Sequence, residues 1–598
     1  MKHTIAVVDF GGQYTHLIAN RIRRLGVYSA IVPADTPAPA MSAYKGIVLS
    51  GSPHSVTDPG APPFDPGMLE LGVPVLGLCY GHQLIARTLG GVVERGTTRE
   101  YGSALMQVLV HDELFGGLDG EERIWMSHGD TVVQLPDGFE VIGSTTDCPA
   151  AAVRHAARRI YGLQFHPEVT DTPHGMQILD NFVRICGAER QWDTDAFVRE
   201  IAETTRREVG DRRVFMLVSG GVDSTVAFLL LNNVLGPDKV LGLHIDNGLM
   251  RLGESAEIMR YMKEHGFDNL HVVDESEAFL DALDGVADPE RKRERIGRMF
   301  IEVQQRALAG LGLNADEWLL GQGTIYPDTI ESAGTAHADR IKTHHNRVDI
   351  VVELIEKGLV IEPLKLLYKD EVRQVGEALG LPRNLVWRHP FPGPGLGVRV
   401  LCWSGDDNPP DAATVEQVAE LAEAQGYGSM VLPVRSVGVQ GDSRTYAHPA
   451  LLFGDPDWGR LEALSTRITN TVSGVNRVVY AVSADERPRY ELGRAFVTRE
   501  RLDILRRIDH RATELLHEHD QYGDIWQMPV ILLPLVNASG RECVVLRPVA
   551  SREAMTARFV PLKKAVLDGI CEAAEALPGV GDIFFDITHK PPGTIEWE

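Results

Sequence analysis

The chain has 598 residues, of which 44% are hydrophobic and 24% charged, and its 59 Lys+Arg against 83 Asp+Glu give a net charge of −24. That length exceeds one hydrophobic core and implies about three to five domains, while the ordinary composition excludes wholesale disorder. The acidic balance repels nucleic acid and anionic lipid at long range, so any anionic substrate must meet a local basic pocket.

The amino terminus, MKHTIAVVDFGG, carries only a short apolar stretch before Asp9 and predicts a first β-strand rather than a signal peptide. No segment approaches the roughly 18 apolar residues of a membrane span. Residues 1–190 alternate short strands (Thr4–Val8, Gly46–Leu49, Val73–Leu78) with helical stretches (Tyr14–Leu25, Gly81–Leu89), the pattern of an open α/β sheet. A polar stretch at Arg190–Thr194 ends this unit. A second α/β unit over 194–396 begins with a helix at Thr194–Val209, then strand Val214–Val218, a glycine loop, helix Thr225–Val234 and strand Val240–Ile245, a βαβ element with its loop at the sheet's carboxyl edge. The cluster RHPFPGPGLG (388–397) breaks helix and strand and predicts a linker or rigid loop. Residues 397–598 change to an α+β pattern. Within them SGVNRVVYAVS (473–483) echoes PGVGDIFFDIT (578–588), an offset of 105 residues that predicts two copies of a small module, about 397–500 and 501–598.

Six cysteines at 79, 148, 186, 402, 543 and 571 show no CxxC pair and no metal-like spacing, which predicts reduced thiols in the cytoplasm. No zinc, haem or flavin signature appears. Only Cys79 has a reactive setting. In Gly77-Leu78-Cys79-Tyr80-Gly81 an apolar strand meets a helix, and small residues two before and two after the cysteine permit a sharp turn that lifts its side chain above the sheet. A helix amino terminus favours thiolate over thiol, and the Tyr80 N–H becomes available to an oxyanion. Phe165-His166-Pro167-Glu168 offers the base: His166 shares the Cys79 proton and Glu168 fixes its tautomer. Seen alone, the His-Pro-Glu tripeptide reads more readily as a capped loop histidine; the cysteine turn in the same unit favours the triad.

Ser219-Gly220-Gly221-Val222-Asp223-Ser224-Thr225 joins an apolar strand to an apolar helix. Two glycines turn backbone N–H groups toward one point, and three hydroxyls and the helix dipole complete an anion cradle. No GKS or GKT follows, which excludes a Walker A loop. His244-Ile245-Asp246-Asn247-Gly248 ends the next strand, where the ligand crevice of such a sheet lies.

GLCYGHQ (77–83), FHPEV (165–169) and LSGSPHSV (49–56) resemble the class I glutamine amidotransferase domain, which implies that fold and a Cys79–His166–Glu168 triad for residues 1–190. The resemblance further implies an oxyanion N–H at Gly51 and a glutamine pocket at Gln83 and a Gly129-Asp130 turn. One departure is Ser52, where the family commonly has a second glycine and where serine restricts the backbone of the hole. The glycine loop resembles that of ATP pyrophosphatases, which split ATP into AMP and pyrophosphate; Asp223 would then bind Mg²⁺ carried by the pyrophosphate, with HIDNG bordering the adenosine. GQGTIYPDTIES (321–332), IKTHHN (341–346), LPVRSVGVQGDSR (432–444) and KPPGTIEWE (590–598) together resemble the glutamine-hydrolysing GMP synthetase family along essentially the whole chain.

That family aminates C2 of xanthosine 5′-monophosphate (XMP), consuming ATP and glutamine and yielding GMP, AMP, pyrophosphate and glutamate. The resemblance implies a class I amidotransferase domain, a Rossmann-like ATP-pyrophosphatase domain and a carboxy-terminal region with a duplicated dimerisation-type module. It adds Asp442, Gln527 and Glu596 as nucleotide contacts. For the XMP phosphate the candidates are Arg293, in the basic run RKRER, and Lys590. Arg293 has the competing reading of a solvated helix face. Lys342, with His344 and His345, is assigned to a lid over the ATP phosphates, because no third residue completes a metal site. The long carboxy-terminal region resembles the eukaryotic-type branch and weakens the expectation of an obligate dimer, leaving monomer or homodimer. Two alternatives stay open: another ATP-pyrophosphatase amidotransferase, disfavoured by the triad and the acidic charge, and a nucleotide-binding protein without activity, which has no need of Cys79, His166, Glu168 and Asp223 together.

Overall fold

Short apolar runs bounded by glycine and polar turns build parallel sheets here, because a strand covered on both faces needs apolar side chains in both directions. The structure, a computed structural model, describes residues 4–598 apart from 13, 170, 192, 312–316, 327, 329–356, 406–408, 441–442, 484–488 and 552–556. The chain divides into two compact units, Met1–Thr204 and Thr205–Glu598.

The first unit contains β1 (Ile5–Asp9), β2 (Ser29–Pro33), β3 (Gly46–Leu49), β4 (Val75–Leu78), β5 (Val92–Val108), β6 (Glu121–Gln134), β7 (Glu140–Ser144), β8 (Ala152–His155) and β9 (Ile160–Leu163) in one sheet of order β2-β1-β3-β4-β9-β8-β7-β5-β6. The first five in that order are parallel and the remaining pairings antiparallel. Strands β3, β4 and β9 are buried along their whole length, which fixes the carboxyl edge of the sheet as a rigid platform.

The second unit opens its sheet with β10 (Arg213–Leu217), β11 (Val240–Asp246), β12 (Leu270–Asp274), β13 (Trp318–Gly321) and β14 (Val360–Ile361), all parallel, in the order β12-β11-β10-β13-β14. The helix Val222–Leu235 that follows β10 is apolar nearly all round and correspondingly buried. RHPFPGPGLG is the rigid-loop alternative rather than a free linker: Leu396 is fully buried and its N–H donates to the Leu249 carbonyl.

The carboxy-terminal part contributes β15 (Gly428–Val431), β16 (Ser436–Gln440), β17 (Ser443–Phe453), β18 (Val475–Ala481), β19 (Glu491–Leu492), β20 (Val530–Val536), β21 (Glu542–Leu546), β22 (Val549–Ala550), β23 (Arg558–Phe559) and β24 (Val580–Asp586). Its eight-stranded sheet runs β15-β17-β18-β24-β21-β20-β19, with β16 on β17. β17 and β18 are parallel and joined by the helix Trp458–Thr471, as β21 and β24 are parallel and joined by the helix Lys564–Ala576. At the centre β18 and β24 run antiparallel, pairing Val479 with Asp586, Tyr480 with Phe585 and Ala481 with Phe584. Under the 105-residue offset Tyr480 corresponds to Phe585 and the outer two pairs exchange, so the register is the one a two-fold axis through the middle pair requires.

Asp586 closes this sheet over the last residues of the chain. Its carboxylate accepts from Arg477 and Arg547, each at 2.8 Å, from Trp597 Nε1 at 2.9 Å and from the Thr588 N–H at 3.0 Å. Arg547 also donates to the carbonyls of Thr588 and Ile595. Burial alone raises a carboxyl pKa, but Arg547 and Arg477 outweigh it and hold Asp586 below the usual range. Asp586→Ala strands two buried guanidiniums and is expected to cost about 3–5 kcal/mol, read as a lower unfolding midpoint by calorimetry. Because the folded pKa is depressed, this contribution is complete above the unfolded value near 3.9 and disappears as pH falls through the folded one. The gap between variant and parent should therefore close in acid.

Candidate active sites

At the end of β4 the chain turns straight into the helix Tyr80–Thr88. Cys79 occupies the junction with φ 51° and ψ −104°, a conformation costing a non-glycine residue about 1–3 kcal/mol. Packing enforces it. A Cβ on Gly77 would lie 2.5 Å from the Gly81 carbonyl oxygen, and one on Gly81 would lie 2.3 Å from that of Leu49. The Gly81 N–H donates to the Ser50 carbonyl at 3.1 Å, tying the end of β3 to the elbow.

His166 receives both its neighbours from this frame. Its Nδ1 lies 2.7 Å from Glu168 Oε1, which leaves Nε2 as the ring nitrogen available to Cys79. Burial alone would lower the imidazole pKa, but the Glu168 charge and the bonds to Cys79 and Glu168 push it up to about 10. Glu168 is itself buried, and its backbone carbonyl accepts from Arg21 Nε at 3.0 Å. Gly51 stands beside the ring: a Cβ there would be 3.7 Å from His166 Cε1. Neither Gly51 nor Ser52 has positive φ, so the serine imposes no backbone penalty, and its hydroxyl accepts from the His54 N–H at 3.2 Å.

Gln83 donates to the Asp130 carbonyl at 2.9 Å and to Gln164 Oε1 at 3.1 Å. The expected Gly129-Asp130 turn is instead strand, part of β6, and the bend is absorbed opposite it, where the register with β5 slips between Arg95 and Glu100. A Gly-Asp pair suits a turn by local preference; a long paired hairpin overrides it. Sequence reasoning missed Ser127, whose carbonyl is 3.6 Å from Cys79 Sγ, and Gln164, whose Nε2 is 3.7 Å from it. Ser127 reaches the sulfur from β6 and Gln164 from the residue after β9, placements that leave no local signal.

In the second unit the helix starts at Val222, three residues before the expected Thr225, so Asp223, Ser224 and Thr225 form its first turn. The hydroxyls of Ser224 and Thr225 donate to the Gly221 carbonyl at 3.1 and 2.9 Å, which stabilises that early start. Gly220 has φ +83° and Ser219 Oγ meets Ser224 Oγ at 3.0 Å. Gly323 packs against this turn so closely that a Cβ would be 2.9 Å from the Ser224 nitrogen. Asp223 pairs through Oδ2 with Lys369, the first residue of the helix Lys369–Ala378, while Oδ1 is buried without a hydrogen-bond partner. One unsatisfied carboxylate oxygen beside a phosphate cradle fits a magnesium ion held mainly by phosphate oxygens. Sequence reasoning also missed Lys369, although Lys369 and Arg373 form a basic i,i+4 pair in KDEVR.

Among the expected XMP contacts, Gln527 and Glu596 come together, with Gln527 Nε2 2.9 Å from Glu596 Oε1. Arg399, not anticipated, grips the same carboxylate through Nε at 3.1 Å and Nη2 at 2.9 Å. Lys590 bridges in backbone to Ala557, and burial and then Arg547 lower its pKa. Arg293 meets the Glu598 backbone oxygen rather than this cluster, and its neighbour Lys292 pairs with the Glu598 carboxylate. Lys342, His344, His345 and Asp442 lie outside the described residues. Among the described residues no group of three or more His, Cys, Asp or Glu could hold a metal, and no helix is long and apolar enough to cross a membrane.

The class-I glutamine amidotransferase family matches residues 6–186, and the GMP synthase C terminal domain matches 417–489 and 514–597. A Leptospira interrogans (serovar copenhageni) protein described as a probable glutamine-hydrolysing GMP synthase is 45% identical over 99% of each chain. The GMP synthase of Syntrophomonas wolfei is 44% identical over 81% of this chain and 98% of its own, so the surplus length belongs to this chain and is shared with the Leptospira protein. A solved structure of a putative GMP synthase subunit from Thermoplasma acidophilum is 34% identical, covering 34% of this chain and 98% of its own, with a TM-score of 0.29. With coverage nearly complete in both directions and both terminal families matched, the chain belongs to the glutamine-hydrolysing GMP synthase family.

Proposed function

We propose that the first unit hydrolyses glutamine at Cys79 and that the second uses the ammonia to convert XMP to GMP at the expense of ATP. The observation that carries the first half is buried His166 paired with buried Glu168 at 2.7 Å, in the same unit as the strained Cys79 elbow. The Cys79 sulfur attacks the glutamine carboxamide carbon, and the N–H groups of Gly51 and Tyr80 receive the developing oxyanion. His166, as imidazolium, gives its proton to the departing ammonia. Neutral His166 then takes a proton from water as the thioester is hydrolysed to glutamate, returning the thiolate–imidazolium state. Gln83, Gly129 and Asp130 line the glutamine pocket.

In the second unit Ser219, Gly220, Gly221, Val222, Asp223, Ser224 and Thr225 cradle the ATP phosphates, joined by Lys369 and, from outside the described residues, Lys342. Asp223 would hold Mg²⁺ together with the ATP phosphates, and the ion would supply neutralising charge to the pyrophosphate. The XMP C2 oxygen is a poor leaving group; its attack on the α-phosphorus of ATP expels pyrophosphate and makes AMP the leaving group. Ammonia then adds at C2 and expels AMP. Gln527, Lys590 and Glu596 contact XMP, with Arg293 and Asp442 as further candidates. The reaction belongs in the cytoplasm, where the six unpaired cysteines stay reduced. The symmetric register of β18 and β24 supports a duplicated module whose second copy covers the surface a partner protomer would otherwise fill.

Cys79→Ala should lose glutamine-dependent GMP formation by at least about 10³-fold yet make GMP, AMP and pyrophosphate from ammonium, whereas Asp223→Asn should fail with either nitrogen source; chromatographic product analysis reads both. Loss of ammonium-driven synthesis in Cys79→Ala would break the two-site reading. Because Glu168 raises His166, whose proton ammonia departure requires, glutaminase activity should persist toward pH 10. Glu168→Gln should move that alkaline limb down by at least about one unit, and an unmoved limb in a pH–rate profile excludes His166 as the acid. Sedimentation should give a single species near 65.8 kDa; a tight dimer at nanomolar concentration contradicts the covered-surface reading.

A further inference from the structure

Adenylation joins an oxygen of one nucleotide to the α-phosphorus of another, so the two cradles must hold register closely; a 1 Å misplacement costs about 10²-fold in rate. In the second unit, the loop after β11 and the terminal strap (587–598) are both fastened to the segment His389–Val400. Arg251, at the far end of that loop, donates to the carbonyls of His389 and Pro390 at 3.0 and 3.3 Å, and its guanidinium carbon lies 4.3 Å from the Phe391 ring centroid. The loop is further held by Arg506, which donates to the carbonyls of Gly248 and Met250. The Leu396 N–H bonds the Leu249 carbonyl at 2.8 Å. Gly395, with φ +63°, passes so near that a Cβ would stand 2.4 Å from that same oxygen.

The strap is fastened through the same ring. Arg399 binds the Glu596 carboxylate with two bonds, and its guanidinium carbon lies 5.2 Å from the Phe391 centroid. Asp509 stands 3.9 Å from Arg399. Arg251 reaches from the loop after β11 to the carbonyls beside the ring, Arg399 reaches from the ring's segment to Glu596, and the ring's quadrupole attracts both cations.

We propose that Arg251, Phe391 and Arg399 form a positioning unit that fixes the separation between the adenosine-side loop and the XMP-binding strap, setting the adenylation geometry before either nucleotide binds. This rests on the nucleotide sites proposed above. A purely space-filling Phe391 tolerates leucine and tyrosine alike. A ring that serves two cations tolerates only another ring.

The test uses the full-length chain with XMP, Mg²⁺-ATP and ammonium, measuring single-turnover pyrophosphate release, with the Kd of XMP and of a non-hydrolysable ATP analogue taken separately by calorimetry. Phe391→Leu should slow pyrophosphate release about 10- to 100-fold while each Kd stays within about threefold, and Phe391→Tyr should stay within about threefold of the parent in every quantity. Retained Kd values also show that the variant is folded. Equal losses in both variants, an unaffected rate in Phe391→Leu, or a loss accounted for by weaker binding of one nucleotide would overturn the proposal. The underlying site reading fails separately: Glu596→Ala binding XMP with parental affinity removes the strap from the site whatever the Phe391 variants do.

Discussion

One buried carboxylate, Asp586, organises the carboxy-terminal half of the second unit. It ends β24, the strand that pairs across the centre of the eight-stranded sheet, and all four of its hydrogen-bond donors come from segments distant in sequence or from the strap itself. A charge so deep in the protein is tolerable only when every lone pair is engaged. That requirement gives the strap one acceptable path, because Trp597 and Thr588 must present their N–H groups while Arg477 and Arg547 collect the carbonyls of Thr588, Gly593, Thr594 and Ile595. Chain ends usually fray; this one is a structural wall, and Glu596 faces Arg399 and Gln527 because its neighbours are pinned.

The amidotransferase unit reaches fixed geometry by a different route. There the constraint is steric and local: two glycines too close to backbone oxygens for any side chain, with a strained cysteine between them. The strain is held by parallel strands buried on both faces, so the rigid element and the reactive residue are adjacent in sequence. The His166–Glu168 pair adds an electrostatic constraint two residues long. Both devices need little help from distant parts of the chain.

That difference explains what was legible in the sequence. The elbow, the His-Pro-Glu base and the glycine loop after β10 are local motifs, and each appears where its residues predict, with only the start of the helix at Val222 misjudged because loop-like residues also suit a first helical turn. Ser127, Gln164, Lys369 and Arg399 act through tertiary placement. Lys369 lies 146 residues from Asp223 in sequence, and no periodicity announces such a pairing. The 105-residue echo was legible as a pattern, but its antiparallel register at Tyr480 and Phe585 required the sheet. The charge run RKRER points to Arg293 as a phosphate contact; the fold assigns Lys292, its fully buried neighbour, and Arg293 to Glu598 instead.

The distribution of charge follows from the same logic. A chain at −24 repels the nucleotides it is proposed to bind, and a surface patch of lysines would be partly cancelled by that field and screened by salt. The second unit instead buries arginines. Arg399, Arg477 and Arg547 are matched by Asp509, Glu596 and Asp586, a set that is neutral within the protein and therefore attracts nothing at a distance. Its contribution is geometric. Rigid guanidinium forks define where carbonyls and carboxylates stand, which a flexible ammonium cannot do as well. Lys369 is likewise matched, by Asp223. The acidic exterior thus costs this protein encounter rate more than binding geometry, and the buried arginines serve as scaffold for sites whose charge complementarity is completed only by the ligands.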